Sequence, residues 1–566
     1  MSSPLVSSGS TPEPALGFPN LSPLPPIKIE ERNIERLETT KGRELEELSE
    51  SVAGGPTPPH IRDNVSHSSS FYDSSVPYVE GFCNGTETTD PIKLSTSFSS
   101  DYNLDWLQGA LYRNGPGILD IEYADKRNKI RTFTFDSWGD GLGLVHRFEI
   151  DGDLGKGDID PTAYSTITPD FPVGRAKGRD HLVLSNDTSQ LQELDPVTLT
   201  PKKTLKYGEI NPLFRGDMVA GVACRDDAAG EMINFCMSTS VGGGAHYRFF
   251  SLLDEDFFDP AGHVIATIDA NVSNSHSFAL TKRFIILITY PYTVSTLASM
   301  FSRDVRSSMS FDHRQPTMFH VLDRQRRELV CVYKAQSCFA LHVVNSFEEE
   351  DGSVCIDLNC YEDDEILRCF SLKNLRTSGM PPLPPAIVRR YVLLKIPEAA
   401  AIYKIQKTTL PDANYTHRSD HTLEYPRINP RFKGIPYRFA WGISVSADSR
   451  DKENVIWDSI VKADCIAKKK VEWKEDGCYP GEPIMIPSPA STRSESSGTL
   501  ASVATSVADA EKEDEGMVLS VVLDSKRNNS FLLFLDAASM KEVGRAEVPA
   551  AIPFGFHGGY FFTPLP

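Results

Sequence analysis

The sequence predicts an all-β protein, and two observations carry that reading. From about Val76 onward, short apolar or alternating runs of four to eight residues recur. Gly, Asp, Asn and Pro separate them at close intervals. Regular short strands punctuated by turn residues indicate a sandwich, barrel or propeller. With 566 residues, 40% hydrophobic and 24% charged, the chain can bury a large core, and β architectures of this kind run long as one unit.

Residues 1 to about 70 are rich in Ser, Pro and charge and poor in aromatics, so they read as a disordered arm. Within it, Lys28–Glu50 has helical composition and mixed charges, a solvated or partner-binding helix. Residues 76–566 read as one domain. Its strands include Ile130–Phe135 (IRTFTF), Gly143–Ile150 (GLVHRFEI), His181–Ser185 (HLVLS), His246–Leu253 (HYRFFSLL) and Val518–Leu523 (VLSVVL). A helical excursion is expected over Thr293–Met309, after Pro291. Low-complexity residues Ser488–Glu515 read as an inserted surface loop. Ser337–Leu358 (SCFALHVVNSFEEEDGSVCIDL) reads as a strand ending near His342, an acidic Asp-Gly turn and a second strand. No sequence repeat marks blades, so a propeller cannot be read from periodicity.

The net charge of −19 argues against a nucleic-acid surface. The first residues lack the basic start and apolar core of an export signal. The longest apolar run, Phe284–Thr289, is far shorter than the ~20 residues of a membrane span. A cytoplasmic protein is expected, with peripheral membrane attachment left open. The ten cysteines include no C-x-x-C pair and read as reduced thiols, so the glycosylation triplets at Asn84 and Asn271 are chance matches.

None of the thirteen histidines has zinc-finger or zincin spacing. A lone histidine in an apolar strand is more often a hydrogen-bonded core residue than a ligand. Three contexts nevertheless stand out: His276 in NSHSFALTKRFIILITYP, His342 in FALHVVNSFEEEDG, and His557 in AAIPFGFHGGYFF. With them, in order, stand LQGALYRNGPG (Leu107–Gly117), DGLGLVHRF (Asp140–Phe148), TLEYPRIN (Thr422–Asn429), GEPIMIP (Gly481–Pro487) and the closing run Leu532–Phe556. Together these segments resemble the carotenoid cleavage oxygenase family, over roughly Val76 to the end.

The resemblance implies a seven-bladed β-propeller whose axis holds one non-haem Fe(II) between histidines, under a helical and loop cap that forms an apolar tunnel. It implies a dioxygenase, an oxidoreductase that uses O2 to cleave one carbon–carbon double bond of a carotenoid or apocarotenoid to carbonyl products. His276, His342 and His557 match metal ligands. Carboxylates behind three of the family's histidines fix tautomer and basicity. Glu424 matches the one behind His342, and Glu482 the one behind His557. Asp187, in SNDTSQLQELDP, is the best match behind His276, although the family favours the longer glutamate.

One departure is plain. The family's first iron histidine precedes a Gly-Glu pair, matched here by Gly230 and Glu231, yet GVACRDDAAGEMINF (Gly221–Phe235) contains no histidine. Cys224 follows its alanine where the histidine would, whereas counting back from Gly230 puts Val222 there. His246 belongs on an outer part of the next strand. Either three histidines hold the iron, with Cys224 or water as fourth ligand, or the metal is lost and the chain is a non-catalytic propeller binding apolar ligands or a protein. Retention of three ligands with their acids favours the oxygenase. The spacing resembles the fungal-like branch, in which stilbene cleavage is the alternative, but no polar pair to hold a phenol can be placed. No obligate protein partner is evident, and YTVSTLASMFS, after Pro291, is a candidate membrane contact.

Overall fold

Strands such as Phe284–Thr289 (FIILIT) and Val354–Tyr361 (VCIDLNCY) are buried at every residue. Without alternation of exposure, both faces of such a strand must be covered, so each sheet is packed between two others. The computed structural model describes residues 72–150, 162–168, 174–175, 182–240, 244–253, 262–294, 309–489 and 513–562. By internal contacts the chain divides into two units. Residues 67–122 and 132–566 form a seven-bladed β-propeller of antiparallel sheets. The smaller unit, residues 1–66 and 123–131, is represented among the described residues by a hairpin tip in which Arg131 pairs with Asp125 at 3.1 Å.

The blades follow the chain. Blade 1 pairs Leu182–Ser185, Gln190–Leu194 and Pro201–Lys206, and blade 2 is built on Glu231–Thr239, Gly244–Leu253 and His263–Asn271. Blade 3 runs from Ala279–Leu280 to Glu328–Ala335. Blade 4 runs from Phe339–Glu348 to Asn414–Thr422, and blade 5 from Glu424–Arg427 to Lys469–Trp473.

The last two blades take strands from both ends of the chain. In blade 6, Ser95–Phe98 pairs with Glu542–Val548. In blade 7, Gly109–Ile118 lies between Leu142–Ile150 and His557–Phe562. This lacing closes the ring of blades, an arrangement that leaves each blade only short edges. The resulting core joins residues from most blades, among them Tyr290, Phe319, Tyr361, Trp441 and Phe531.

Short helices Glu365–Cys369 and Leu372–Arg376 stand between strands of blade 4. Arg376 is 1% exposed; its Nε and Nη2 donate to Phe82 O at 2.8 and 2.6 Å, and Nη2 lies 2.8 Å from Asp120 Oδ2. A buried guanidinium satisfied in this way pins the segment over the blades.

Some sequence expectations change here. Thr293 and Val294 are not helical: Tyr292–Val294 pairs with Met309–Phe311 as a two-stranded ribbon, and what lies between falls outside the described residues. The strand expected to end near His342 continues to Glu348, because a bulge carries it past that residue. The Asp-Gly turn after it is present, with Gly352 at φ +81°, where only glycine is unstrained. The amino-terminal arm, its Lys28–Glu50 segment and most of the 488–515 loop lie outside the described residues. Among the described residues, no helix is long and apolar enough to cross a membrane.

His320 in blade 3 tests the dryness of this core. It is buried, with Nε2 3.1 Å from Thr289 Oγ1, and burial holds its pKa down at about 4. The unfolded chain takes up that proton near pH 6.5, the folded chain only near 4. The stabilisation is therefore complete above about pH 6.5 and is lost as pH falls toward 4. Urea unfolding at pH 7 and pH 5 should show His320→Gln losing about 2 kcal/mol less than the parent between the two conditions.

Candidate metal centre

Three imidazoles converge from three places in the ring. His276 lies between blades 2 and 3, where Ser275 Oγ donates to Ile288 O at 2.7 Å and Ser277 Oγ to Leu341 O at 2.8 Å. The two serines fix the backbone on either side of it. His342 sits inside the strand Phe339–Glu348, where the register shifts between Ala340 and Val343 and again before Asn345. Bulges of this kind re-aim a side chain. His557 opens the last strand of the chain, opposite Asn114. One ligand atom from each of the three lies within 4.8 Å of the others.

Carboxylates stand behind all three rings. His276 Nδ1 donates to Asp187 Oδ1 at 2.8 Å, and His557 Nδ1 to Glu482 Oε1 at 3.0 Å. His342 Nδ1 stands 3.3 Å from Glu424 Oε2, outside hydrogen-bond geometry. Glu424 accepts instead from the Tyr361 hydroxyl and from Tyr425 N at 3.0 Å. A carboxylate at Nδ1 fixes the proton there and leaves Nε2 as the free donor.

Burial depresses His557 to about 4, despite the opposing pull of Glu482, so the ring is neutral near pH 7. Burial would raise Glu482, but the Arg427 guanidinium, with His557, outweighs it and holds the acid down at about 2. Arg427 Nε donates to Glu482 Oε1 at 2.8 Å, and Gly558 N to Glu482 Oε2 at 2.7 Å. Three imidazoles backed by carboxylates form a donor set that suits a divalent transition metal.

The segment expected to supply a fourth ligand lies beside His276. Cys224 is not among the clustered ligand atoms: its Sγ donates to Phe278 O at 3.4 Å, and burial raises its thiol to about 11. Val222 N donates to His276 O at 3.1 Å. It is half-buried and joins no core cluster, whereas Ala223 and Cys224 pack against two of them. Gly221 lies so close that a Cβ there would stand 2.5 Å from His276 Cε1 and 2.4 Å from Asp187 Oδ1. His246 is exposed on the second strand of its hairpin, beside Asp269.

A line of rings leads to the histidines. Trp138 and Phe370 are 5.6 Å apart between centroids, Phe370 and Trp457 6.2 Å, and Trp457 and Tyr425 5.9 Å. Tyr425 then lies 5.4 Å from His342 and 5.5 Å from His557. A cavity of about 360 Å³ is lined by Pro382–Ala386, Val445, Trp457 and Glu424, with Arg450 and Asp451 also on its wall. Arg427 and Tyr361 are the supporting residues that motif reading missed. Arg427 lies within TLEYPRIN, a segment that by itself assigns it no role, and Tyr361 has no local signal.

Gly221→Ala should leave the melting temperature of the metal-free protein nearly unchanged, while metal affinity falls about 10–100-fold because the new methyl displaces His276 and Asp187. Equilibrium dialysis against Co(II) measures it; an unaltered affinity would show that His276 is no ligand.

The retinal pigment epithelial membrane protein family matches residues 161–562. The human mitochondrial carotenoid-cleaving dioxygenase is 29% identical, covering 80% of this chain and 86% of its own. A Neurospora crassa carotenoid dioxygenase is 26% identical, covering 84% and 89%. Cobalt-substituted Synechocystis ACO superposes with a TM-score of 0.66 at 18% identity, covering 87% of this chain and 100% of that one. The propeller, the order of its motifs and these matches lead to one statement: the chain belongs to the carotenoid cleavage oxygenase family, that of the retinal pigment epithelial membrane protein.

Proposed function

We propose that this chain is a non-haem Fe(II)-dependent dioxygenase that cleaves a carbon–carbon double bond of a carotenoid or apocarotenoid to carbonyl products. The observation that carries the iron site is the convergence of His276, His342 and His557, each backed by an acid. The substrate class is supported by relatives named as carotenoid-cleaving dioxygenases. Bound there, ferrous iron supplies the redox-active position at which O2 is used.

The chain's own residues do the rest. Asp187 and Glu482 hold their rings by hydrogen bonds at Nδ1 and Glu424 stands behind the third, with one nitrogen of each imidazole in the cluster. The rings of Trp138, Phe370, Trp457 and Tyr425 offer a polyene an apolar surface that excludes water. An apolar substrate resides in lipid, which fits a cytoplasmic protein with peripheral membrane contact.

The centre is read as three imidazoles and no thiolate, with Val222 where the family carries its remaining histidine. Three protein ligands suffice for iron in other oxygenases. The same feature favours one rival reading, a propeller that has lost its metal. Protein purified without air should carry about one iron per chain, and none after reconstitution with Fe(II) would sink the proposal. Val222→His should tighten Co(II) binding, whereas Cys224→His should leave it unchanged.

A further inference from the structure

We propose that Arg427 is a positioning residue for the metal centre, acting through a bulge that lets one short strand brace two of its histidines. The proposal rests on the metal reading above. The strand Glu424–Arg427 carries both Glu424, behind His342, and Arg427, which grips the acid behind His557. In a regular strand, residues three apart point to opposite faces. Here Glu424 pairs with Ile443 and Arg427 with Trp441, so three steps on this strand match two on its partner. The extra residue reverses the alternation, and Tyr425 takes the left-handed conformation at φ 47° to allow it. Both charged side chains therefore reach the histidine cluster.

The grip of Arg427 is double. Its Nε donates to Glu482 Oε1 at 2.8 Å and its Nη2 to Gly558 O at 2.9 Å. Glu482 in turn accepts from Gly558 N at 2.7 Å and from His557 Nδ1 at 3.0 Å. Arg427, Glu482 and the His557–Gly558 peptide thus form a closed set in which the guanidinium fixes both the acid and the backbone carrying the ring. Only a planar fork spans two acceptors in this way. From the other side, Arg113 Nη2 donates to Pro553 O at 2.9 Å and pins the approach to His557.

The test is a double-substitution cycle read by Co(II) affinity in dialysis, with far-UV circular dichroism as the check on folding. Arg427→Met should weaken binding about 10–100-fold, as Glu482→Gln should alone. In the Glu482→Gln background, Arg427→Met should add less than about threefold, because the group it positions no longer holds His557. Arg427→Lys should recover part of the loss and shift the visible Co(II) bands from those of the parent, since an ammonium keeps the charge but not the fork. Equal losses from Arg427→Met in both backgrounds, or no loss in either, would overturn the proposal. If Arg427→Met fails to fold, Arg427→Lys decides alone: affinity and spectrum identical to the parent overturn it. Failure of the parent itself to bind Co(II) would instead refute the metal reading.

Discussion

The centre depends on a carboxylate placed against the Nδ1 side of each imidazole, away from bulk water. Burial favours the neutral ring but disfavours the ionised acid, so the two demands conflict unless the acid has other donors. Glu482 has three, from His557, Arg427 and the Gly558 peptide, and they offset the upward push of burial. Glu424 has the Tyr361 hydroxyl and the Tyr425 peptide. Each of these two acids is thereby held in place behind its imidazole. Asp187, more exposed and one methylene shorter than glutamate, meets His276 because Gly221 leaves room for both.

Ring closure and site assembly are one event in this fold. His557 begins the final strand, which pairs with Gly109–Ile118 to complete blade 7. Its acid comes from blade 6, a sheet that includes Ser95–Phe98 from the other end of the chain. The ligands are thus far apart in sequence, and no local segment can form the centre before the propeller closes. The contacts are non-local, a topology whose folding is slow because long loops must close first.

The segment beside His276 carries no imidazole. Gly221 and Val222 lie against His276 by a close approach and a backbone hydrogen bond. What differs is the side chain. Val222 is half-buried and offers no metal-binding atom, and the Cys224 thiol is turned to Phe278 O. The site is asymmetric in consequence, with acids and imidazoles on three sides.

The sequence by itself determined the strands, because alternation, turn residues and the Asp-Gly bend act within a few residues. Through ordered motifs it also identified His276, His342, His557 and their acids, all of which the structure brings together. Those expectations misplaced the end of the strand at His342 and left Cys224 and Val222 unresolved. The bulges at Ala340–Asn345 and Glu424–Arg427 have no local signature, since they exist only relative to a partner strand. The same holds for Arg427 on Glu482 and Tyr361 on Glu424, contacts 55 and 63 residues apart in the chain. Only tertiary convergence decided these. Which side chain faces the axis depends on register between strands, and register is set by the packing of whole blades.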